Sequence, residues 1–232
     1  MVYLDYAAAT PLSKSALKAM LPFFSDQFYN PSSLYIASAK LKLKKDDFKA
    51  KTASILGAKP TEIIFTTGAS EANNLVIRGL MDQFPGGNII TSTIEHKSIL
   101  EPAKLYNHKK LEVDVKGHIK LNFLERLIDD DTVLISIILA NHEIGVVQSL
   151  AKIRVIINKI LESRRLNGNN LPLYLHSDAS QAGNYLSLNV NRLGVDMMTL
   201  GGAKIYGQKQ TGLLYLKTGV KLNPLILGGG QE

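Results

Sequence analysis

One lysine, Lys204, stands among small residues. Gly-Gly-Ala occupies positions 201–203 before it, and Ile-Tyr-Gly occupies positions 205–207 after it. Small side chains let a ligand approach the backbone closely, and a partly desolvated lysine amine can form a Schiff base with a carbonyl compound. Most lysines are solvated surface charges. The setting of Lys204 is therefore by itself only a weak indication of a reactive amine.

An acid and an amide stand close together at Asp178 and Gln181, directly after a predicted strand. A buried carboxylate at this point can accept a hydrogen bond from a protonated pyridine nitrogen and keep that ring an electron sink. The Gln181 amide can bond to a substituent of the same ring. A loop-capping Asp178 and a solvated Gln181 are the ordinary alternatives, and the residues alone leave them open.

Two further segments complete a possible ligand site. Gly68, Ala69 and Ser70 lie between a predicted strand and a predicted helix, where backbone N–H groups can bind a phosphate. The alternative is that Ser70 merely caps the helix. His96 can stack on a planar ring or move a proton, although a single histidine is more often structural. With Lys204 and Asp178, these residues describe a pyridoxal phosphate pocket.

Strand-like and helical segments alternate along the chain, which predicts an α/β domain with a mostly parallel sheet. Helices are expected at 12–26, 34–56, 71–83, 97–107, 121–127 and 150–165, and strands at 62–66, 88–92, 111–115, 132–139, 173–176, 196–200 and 213–216. The continuous apolar run 132–139 indicates a strand buried on both faces. The residues named above follow predicted strands, at whose carboxyl ends ligands bind in such sheets.

Composition excludes several classes of protein. The 232 residues include no Cys, which removes disulfide scaffolds, thiolate zinc sites and a cysteine nucleophile within these residues. No metal site is expected. No apolar run reaches membrane-spanning length, and no secretory signal is recognised at the start, so we expect a cytoplasmic protein without membrane contact. The net charge is +7, but the basic cluster 40–45 is typical of a solvated helix face, and we expect no direct nucleic-acid binding.

Seven segments resemble the cysteine desulfurases of the class V aminotransferase group, which are fold-type I pyridoxal phosphate enzymes. The resemblance spans essentially the whole chain. The matching segments are 3–7 (Tyr-Leu-Asp-Tyr-Ala), 30–33 (Asn-Pro-Ser-Ser), 64–74 (Ile-Phe-Thr-Thr-Gly-Ala-Ser-Glu-Ala-Asn-Asn), 93–97 (Thr-Ile-Glu-His-Lys), 141–145 (Asn-His-Glu-Ile-Gly), 176–181 (His-Ser-Asp-Ala-Ser-Gln) and 204–207 (Lys-Ile-Tyr-Gly).

The resemblance implies a role for each matching position. Ala69 and Ser70 would hold the phosphate of pyridoxal 5'-phosphate, and His96 would lie over its ring. Lys204 would form the Schiff base and move protons, so that Lys204 and His96 are the expected catalytic residues. The remaining expected cofactor contacts are Asp178 at the ring nitrogen, Gln181 at the ring hydroxyl, and His142 at a position where the family usually has Asn.

The resemblance also implies an architecture and a reaction. Residues 16–232 would form a three-layer α/β/α large domain with a mostly parallel mixed sheet, and residues 1–15 would belong to a small domain that is largely missing. Homodimers are expected. The substrate would be L-cysteine, converted to L-alanine while a cysteine thiolate takes the sulfur as a persulfide for a sulfur acceptor or an iron–sulfur scaffold protein. Family members continue for over a hundred residues past this point, and that part carries the persulfide cysteine, so this chain is expected to be inactive alone.

Four departures from the family pattern keep alternatives open. Besides His142, the sequence has Gly201 where a phosphate-binding Ser is usual, Ala203 where a His precedes the lysine, and Gln208 where a Pro follows Tyr-Gly. A degenerate homologue acting as a scaffold is therefore one alternative. Another pyridoxal phosphate-dependent amino-acid lyase or aminotransferase, which needs no Cys, is a second.

Overall fold

A seven-stranded mixed sheet forms the centre of the protein. The computed structural model describes residues 2–228; Met1 and residues 229–232, which the expected domain ranges include, lie outside this part. The strands follow the spatial order β1-β7-β6-β5-β4-β2-β3. Their bounds are β1 (Ile63–Thr66), β2 (Asn88–Ser92), β3 (Asn107–Leu111), β4 (Thr132–Ser136), β5 (Tyr174–Asp178), β6 (Met197–Gly201) and β7 (Gly212–Leu216).

Only β7 runs against the others. It pairs antiparallel with β1 and with β6, whereas the pairs β6–β5, β5–β4, β4–β2 and β2–β3 are parallel. The expected mostly parallel mixed sheet is confirmed. Consequently β1, β2, β4, β5 and β6 all end at the same edge of the sheet, and the loops that follow them meet there.

Helices cover both faces of the sheet. Apolar residues of α3, α6 and α7 pack on one face, and those of α4 and α5 pack on the other, so the three-layer α/β/α architecture is confirmed. The central strands β2, β4 and β6 are fully buried. The helices among the described residues are α1 (Lys14–Met20), α2 (Pro22–Ser25), α3 (Ile36–Leu56), α4 (Ala69–Met81), α5 (Lys97–Ala103), α6 (Leu121–Leu127), α7 (Leu150–Leu166) and α8 (Val190–Leu193).

The segment 97–115 differs from the expected pattern. A helix over 97–107 and a strand over 111–115 were expected, but α5 ends at Ala103 and β3 occupies 107–111. Every residue of β3 pairs with β2. Its sequence Asn-His-Lys-Lys-Leu is polar because β3 is the outermost strand and most of it is partly or fully exposed. Because apolar and polar residues do not alternate in β3, its sequence gives no strand signal. Only its pairing with β2 identifies the segment as a strand.

Smaller differences occur elsewhere. The expected helix 12–26 is divided at Leu21, since Pro22 begins a new helix and cannot donate the N–H that would continue the first. The expected strand 132–139 ends at Ser136, although Ile137 and Leu139 still donate to β5 carbonyls at 3.1 and 3.0 Å. The short helix α8 was not expected.

Candidate active site

A cavity of about 530 Å³ opens at the sheet edge where the parallel strands end. Every residue that the sequence singled out as a cofactor contact lines it. These residues come from four strand-to-loop junctions and from the loop after β4, and they are Ala69, Ser70, His96, His142, Asp178, Gln181 and Lys204. The structure therefore brings together side chains as far apart in sequence as 69 and 204.

The Lys204 ammonium is held by the N-terminal segment. Its Nζ donates to the carbonyl oxygens of Ala7 and Ala8 at 2.7 and 2.6 Å, and Gln181 Nε2 also donates to the Ala7 carbonyl at 2.8 Å. Residues 1–15 were expected to belong to a small domain, and their contact with Lys204 was not predicted. A backbone carbonyl gives no signal in the residue type, and the recognised opening segment 3–7 includes Ala7 but not Ala8.

Asp178 is a buried, oriented carboxylate at the cavity wall, only 5% exposed. Its Oδ1 accepts from the Ser180 amide at 2.9 Å, and its Oδ2 accepts from Asn73 Nδ2 at 2.8 Å. Asn73 Nδ2 also donates to Ser98 Oγ at 2.8 Å. Asp178 therefore caps its loop, as one of the two alternatives predicted, and it also lines the cavity. Asn73 was missed as a supporting residue, although it lies within the recognised segment 64–74.

His96 is the N-cap of α5 and lines the cavity. Its Nδ1 accepts the Ser98 amide at 3.1 Å, so a neutral ring carries its proton on Nε2. Burial lowers the pKa of His96 below its ordinary 6.5, and the nearby Asp178 charge partly opposes that shift. The His142 ring lies edge-on to it, with centroids 5.7 Å apart. His96 therefore combines the structural role of a helix cap with access to the cavity.

The N-terminus of α4 forms another wall. The helix begins at Ala69 with Gly68 as its N-cap, so the alternative of Ser70 as the N-cap is wrong. Glu71 accepts instead from the Thr67 amide and hydroxyl, both at 2.6 Å. The first amides of a helix have no carbonyl partner within it and carry partial positive charge. Because these amides border the cavity, an anionic group bound there can accept hydrogen bonds from them.

The residues beside this helix end fit a phosphate group. A Cβ placed on Gly201 would lie 3.3 Å from the Ala69 Cβ and 3.5 Å from Ser180 Oγ, so Gly201 leaves room there. Ser180 Oγ is buried and has no hydrogen-bond partner within residues 2–228, which leaves its donor free. Small residues, an uncommitted hydroxyl and a helix N-terminus together suit a phosphorylated ligand.

Two buried titratable residues lie behind the cavity wall. His176 is held between Ser136 Oγ at 2.9 Å and Thr199 Oγ1 at 3.1 Å, and burial lowers its pKa to about 4. Glu95, 5% exposed, accepts from Ser92 Oγ and from the Ile138 amide through Oε1. Burial raises the pKa of Glu95 to about 8 despite these two hydrogen bonds. At neutral pH His176 is therefore neutral and Glu95 largely protonated.

A family model described as aminotransferase class-V matches residues 2–232. The chain belongs to the aminotransferase class-V family. The members of this family that are cysteine desulfurases depend on pyridoxal 5'-phosphate, in agreement with the fit described above. Within the described part of this family member, no helix is both long and apolar enough to cross a membrane.

Similar class-V proteins carry cysteine desulfurase names. The chain is 38% identical to "Cysteine desulfurase IscS" of Dictyoglomus turgidum, covering all of this chain and 58% of that protein. It is 37% identical to "Cysteine desulfurase, mitosomal" of Trachipleistophora hominis, covering 53% of it. The solved structure "SspA in complex with cysteine" superposes with a TM-score of 0.91 at 36% identity, covering all of this chain and 66% of that one. The chain thus spans less than two thirds of the length of these class-V relatives.

The buried Glu95 makes stability depend on pH. Because its pKa in the folded protein, about 8, lies above its ordinary 4.5, the contribution of protonated Glu95 is complete below pH 4.5 and is lost as pH rises through about 8. Glu95→Gln keeps the acceptor without the ionisation. Between about pH 5 and pH 9, the free energy of unfolding should fall by about 1–3 kcal/mol less in this variant than in the unmodified protein. Urea titration without cofactor measures both.

The exposed Glu112 supplies the control, because Glu112→Gln should keep the pH dependence of the unmodified protein. Parallel pH profiles for Glu95→Gln and Glu112→Gln would contradict a protonated Glu95.

Proposed function

We propose that these residues form the pyridoxal 5'-phosphate-binding part of a cysteine desulfurase. The observation that carries the proposal is the convergence on one cavity of Lys204, the Asp178 carboxylate, His96 and the N-terminus of α4. The names of the relatives support this choice among class-V reactions.

In this proposal, different residues of the cavity bind different parts of the cofactor. The amides at the start of α4, with Ala69 and Ser70, would bind the phosphate. Asp178 would pair with the ring nitrogen, and His96 would contact the ring. When bound, the cofactor supplies an electron sink that makes protons on an attached amino acid acidic.

Asp178 is suited to its task by the hydrogen bonds it already makes. Asn73 and the Ser180 amide hold its two oxygens, so the carboxylate cannot rotate away from a ligand in the cavity. A fixed, desolvated acid stabilises a protonated ring nitrogen more than a mobile solvated one does. Gln181, at the other side of the same turn, binds the ring hydroxyl.

Lys204 would hold the cofactor through its amine and would move protons at the substrate carbon. To do so, the amine would have to leave the Ala7 and Ala8 carbonyls, to which it now donates. The same carbonyls could accept hydrogen bonds from the lysine again whenever its amine is free. His96, with Nδ1 committed to Ser98, presents Nε2–H to the cavity and orients the bound ring.

The proposed substrate is L-cysteine, and the structural neighbour SspA was solved with cysteine bound. Sulfur transfer breaks the bond between the substrate Cβ and its sulfur, forms a persulfide on a cysteine thiol, and leaves L-alanine. The 232 residues contain no Cys. The accepting thiol must therefore come from outside them, and these residues alone would complete no transfer.

The wider setting of the protein follows from this proposal. We assign residues 1–15 to the smaller domain and residues 16–232 to the cofactor-binding domain. A homodimer is the proposed assembly, a sulfur acceptor or an iron–sulfur scaffold protein is the proposed partner, and the cytoplasm, where thiols stay reduced, is the proposed compartment.

A second candidate is a homologue that has lost the cofactor. Gly201 and Ala203 line the cavity without side-chain donors, and His142 is bulkier than the usual Asn. The uncommitted Ser180 hydroxyl and the α4 amides offset this loss, which is why cofactor binding is preferred here. A lyase acting on another amino acid would use the same pocket and would differ in its substrate and product.

Proton movement can be measured without the sulfur acceptor. With pyridoxal 5'-phosphate in D₂O, we expect the protein to exchange the α-proton of L-alanine, followed by NMR. Asp178→Asn should slow exchange about a hundredfold or more, because a neutral amide no longer keeps the ring nitrogen protonated, whereas Gln181→Ala should slow it less than about tenfold. Equal losses in the two variants would contradict the role of Asp178.

Product analysis separates desulfuration from the other lyase. The cofactor-loaded protein, mixed with the separately expressed remainder of a similar desulfurase, should release L-alanine from L-cysteine in amounts equal to the sulfide recovered with a reducing thiol. Lys204→Ala in the same mixture should release neither, and the exposed Lys209→Ala should behave as the unmodified protein does. Pyruvate and ammonia in place of alanine would contradict the desulfurase assignment.

A further inference from the structure

Thr10 contacts the loop of Lys204 although it was not among the expected site residues. It is only 3% exposed. Its amide and its Oγ1 both donate to the Ala203 carbonyl, at 2.9 and 3.0 Å. This fixes the backbone immediately before Lys204.

The same hydroxyl also fixes the backbone after the lysine. Thr10 Oγ1 accepts from the Tyr206 amide at 2.8 Å, and the Ser13 amide donates to the Tyr206 carbonyl at 2.9 Å. Tyr206 has φ of 59°, a left-handed conformation that is uncommon for a residue with a Cβ and persists where its surroundings impose it. Thr10 and Ser13 supply such surroundings.

We propose that Thr10 is a positioning residue for Lys204, holding the turn on both sides of the lysine so that its amine is directed into the cavity. The proposal rests on the proposed function in one respect, that Lys204 bonds to the cofactor. All the contacts are with backbone atoms of residues 203 and 206, so they do not depend on which side chains stand there.

The hydroxyl is essential to this role because it donates and accepts at once. Valine has the shape of threonine without that group, and serine has the group without the methyl. Lys204 carries its amine at the end of a four-carbon chain, so a change in the backbone direction at residue 204 redirects the whole side chain and makes the productive position of the amine rarer. Pre-organisation of this kind changes the rate of bond formation.

The test mixes cofactor-free protein with pyridoxal 5'-phosphate and follows the amount of cofactor that borohydride fixes on Lys204 with time. We expect Thr10→Val to slow this reaction about tenfold or more and Thr10→Ser to stay within about threefold of the unmodified protein. The control is Thr218→Val, which removes a hydroxyl that donates to Glu62 at 2.7 Å away from the cavity, and it should leave the rate unchanged. An unchanged rate in Thr10→Val would overturn the proposal.

A second readout needs neither cofactor nor variant. The Tyr206 amide of the cofactor-free protein should be protected from hydrogen exchange, because its N–H is bonded to Thr10 Oγ1. An unprotected Tyr206 amide would overturn the proposal even if Thr10→Val did not fold. If the unmodified protein is protected there but never bonds to the cofactor, the proposed function fails and the role of Thr10 in holding the turn stands.

Discussion

The common direction of β1, β2, β4, β5 and β6 is the constraint on which the site depends. Parallel strands bring their carboxyl ends to one edge, so residues separated by long stretches of sequence meet without any direct pairing between their loops. Helices on both faces make this arrangement possible by burying the apolar strands. The antiparallel β7 returns the chain beside β6 and thereby supports the turn that carries Lys204.

Charge is distributed unevenly around this edge. The α4 N-terminus and the Lys204 ammonium contribute positive charge to the cavity lining, and Asp178 contributes a buried carboxylate. Glu95 stays largely protonated at neutral pH because its own burial raises its pKa to about 8, and the nearby Asp178 charge adds to this effect. A ligand that carries both an anionic group and a protonated ring nitrogen matches these charges.

The sequence predicted seven of the residues that line the cavity, because each follows a strand in a recognisable segment. It could not predict the contacts of Ala7, Ala8 and Thr10, which join residues nearly two hundred positions apart largely through backbone atoms. Such contacts leave no periodicity or composition to detect. The polar edge strand β3 was missed for a related reason, since its pairing with β2, and not its own sequence, makes it a strand.

The most direct test of the account is to treat the protein with pyridoxal 5'-phosphate, reduce it with borohydride, and locate the modified residue by mass spectrometry. We predict a protein that is yellow before reduction, that loses this colour and carries a single reduced cofactor on Lys204 after reduction, and that shows neither the colour nor the adduct in Lys204→Ala. A colourless protein, or an adduct spread over exposed lysines and retained in Lys204→Ala, would contradict it.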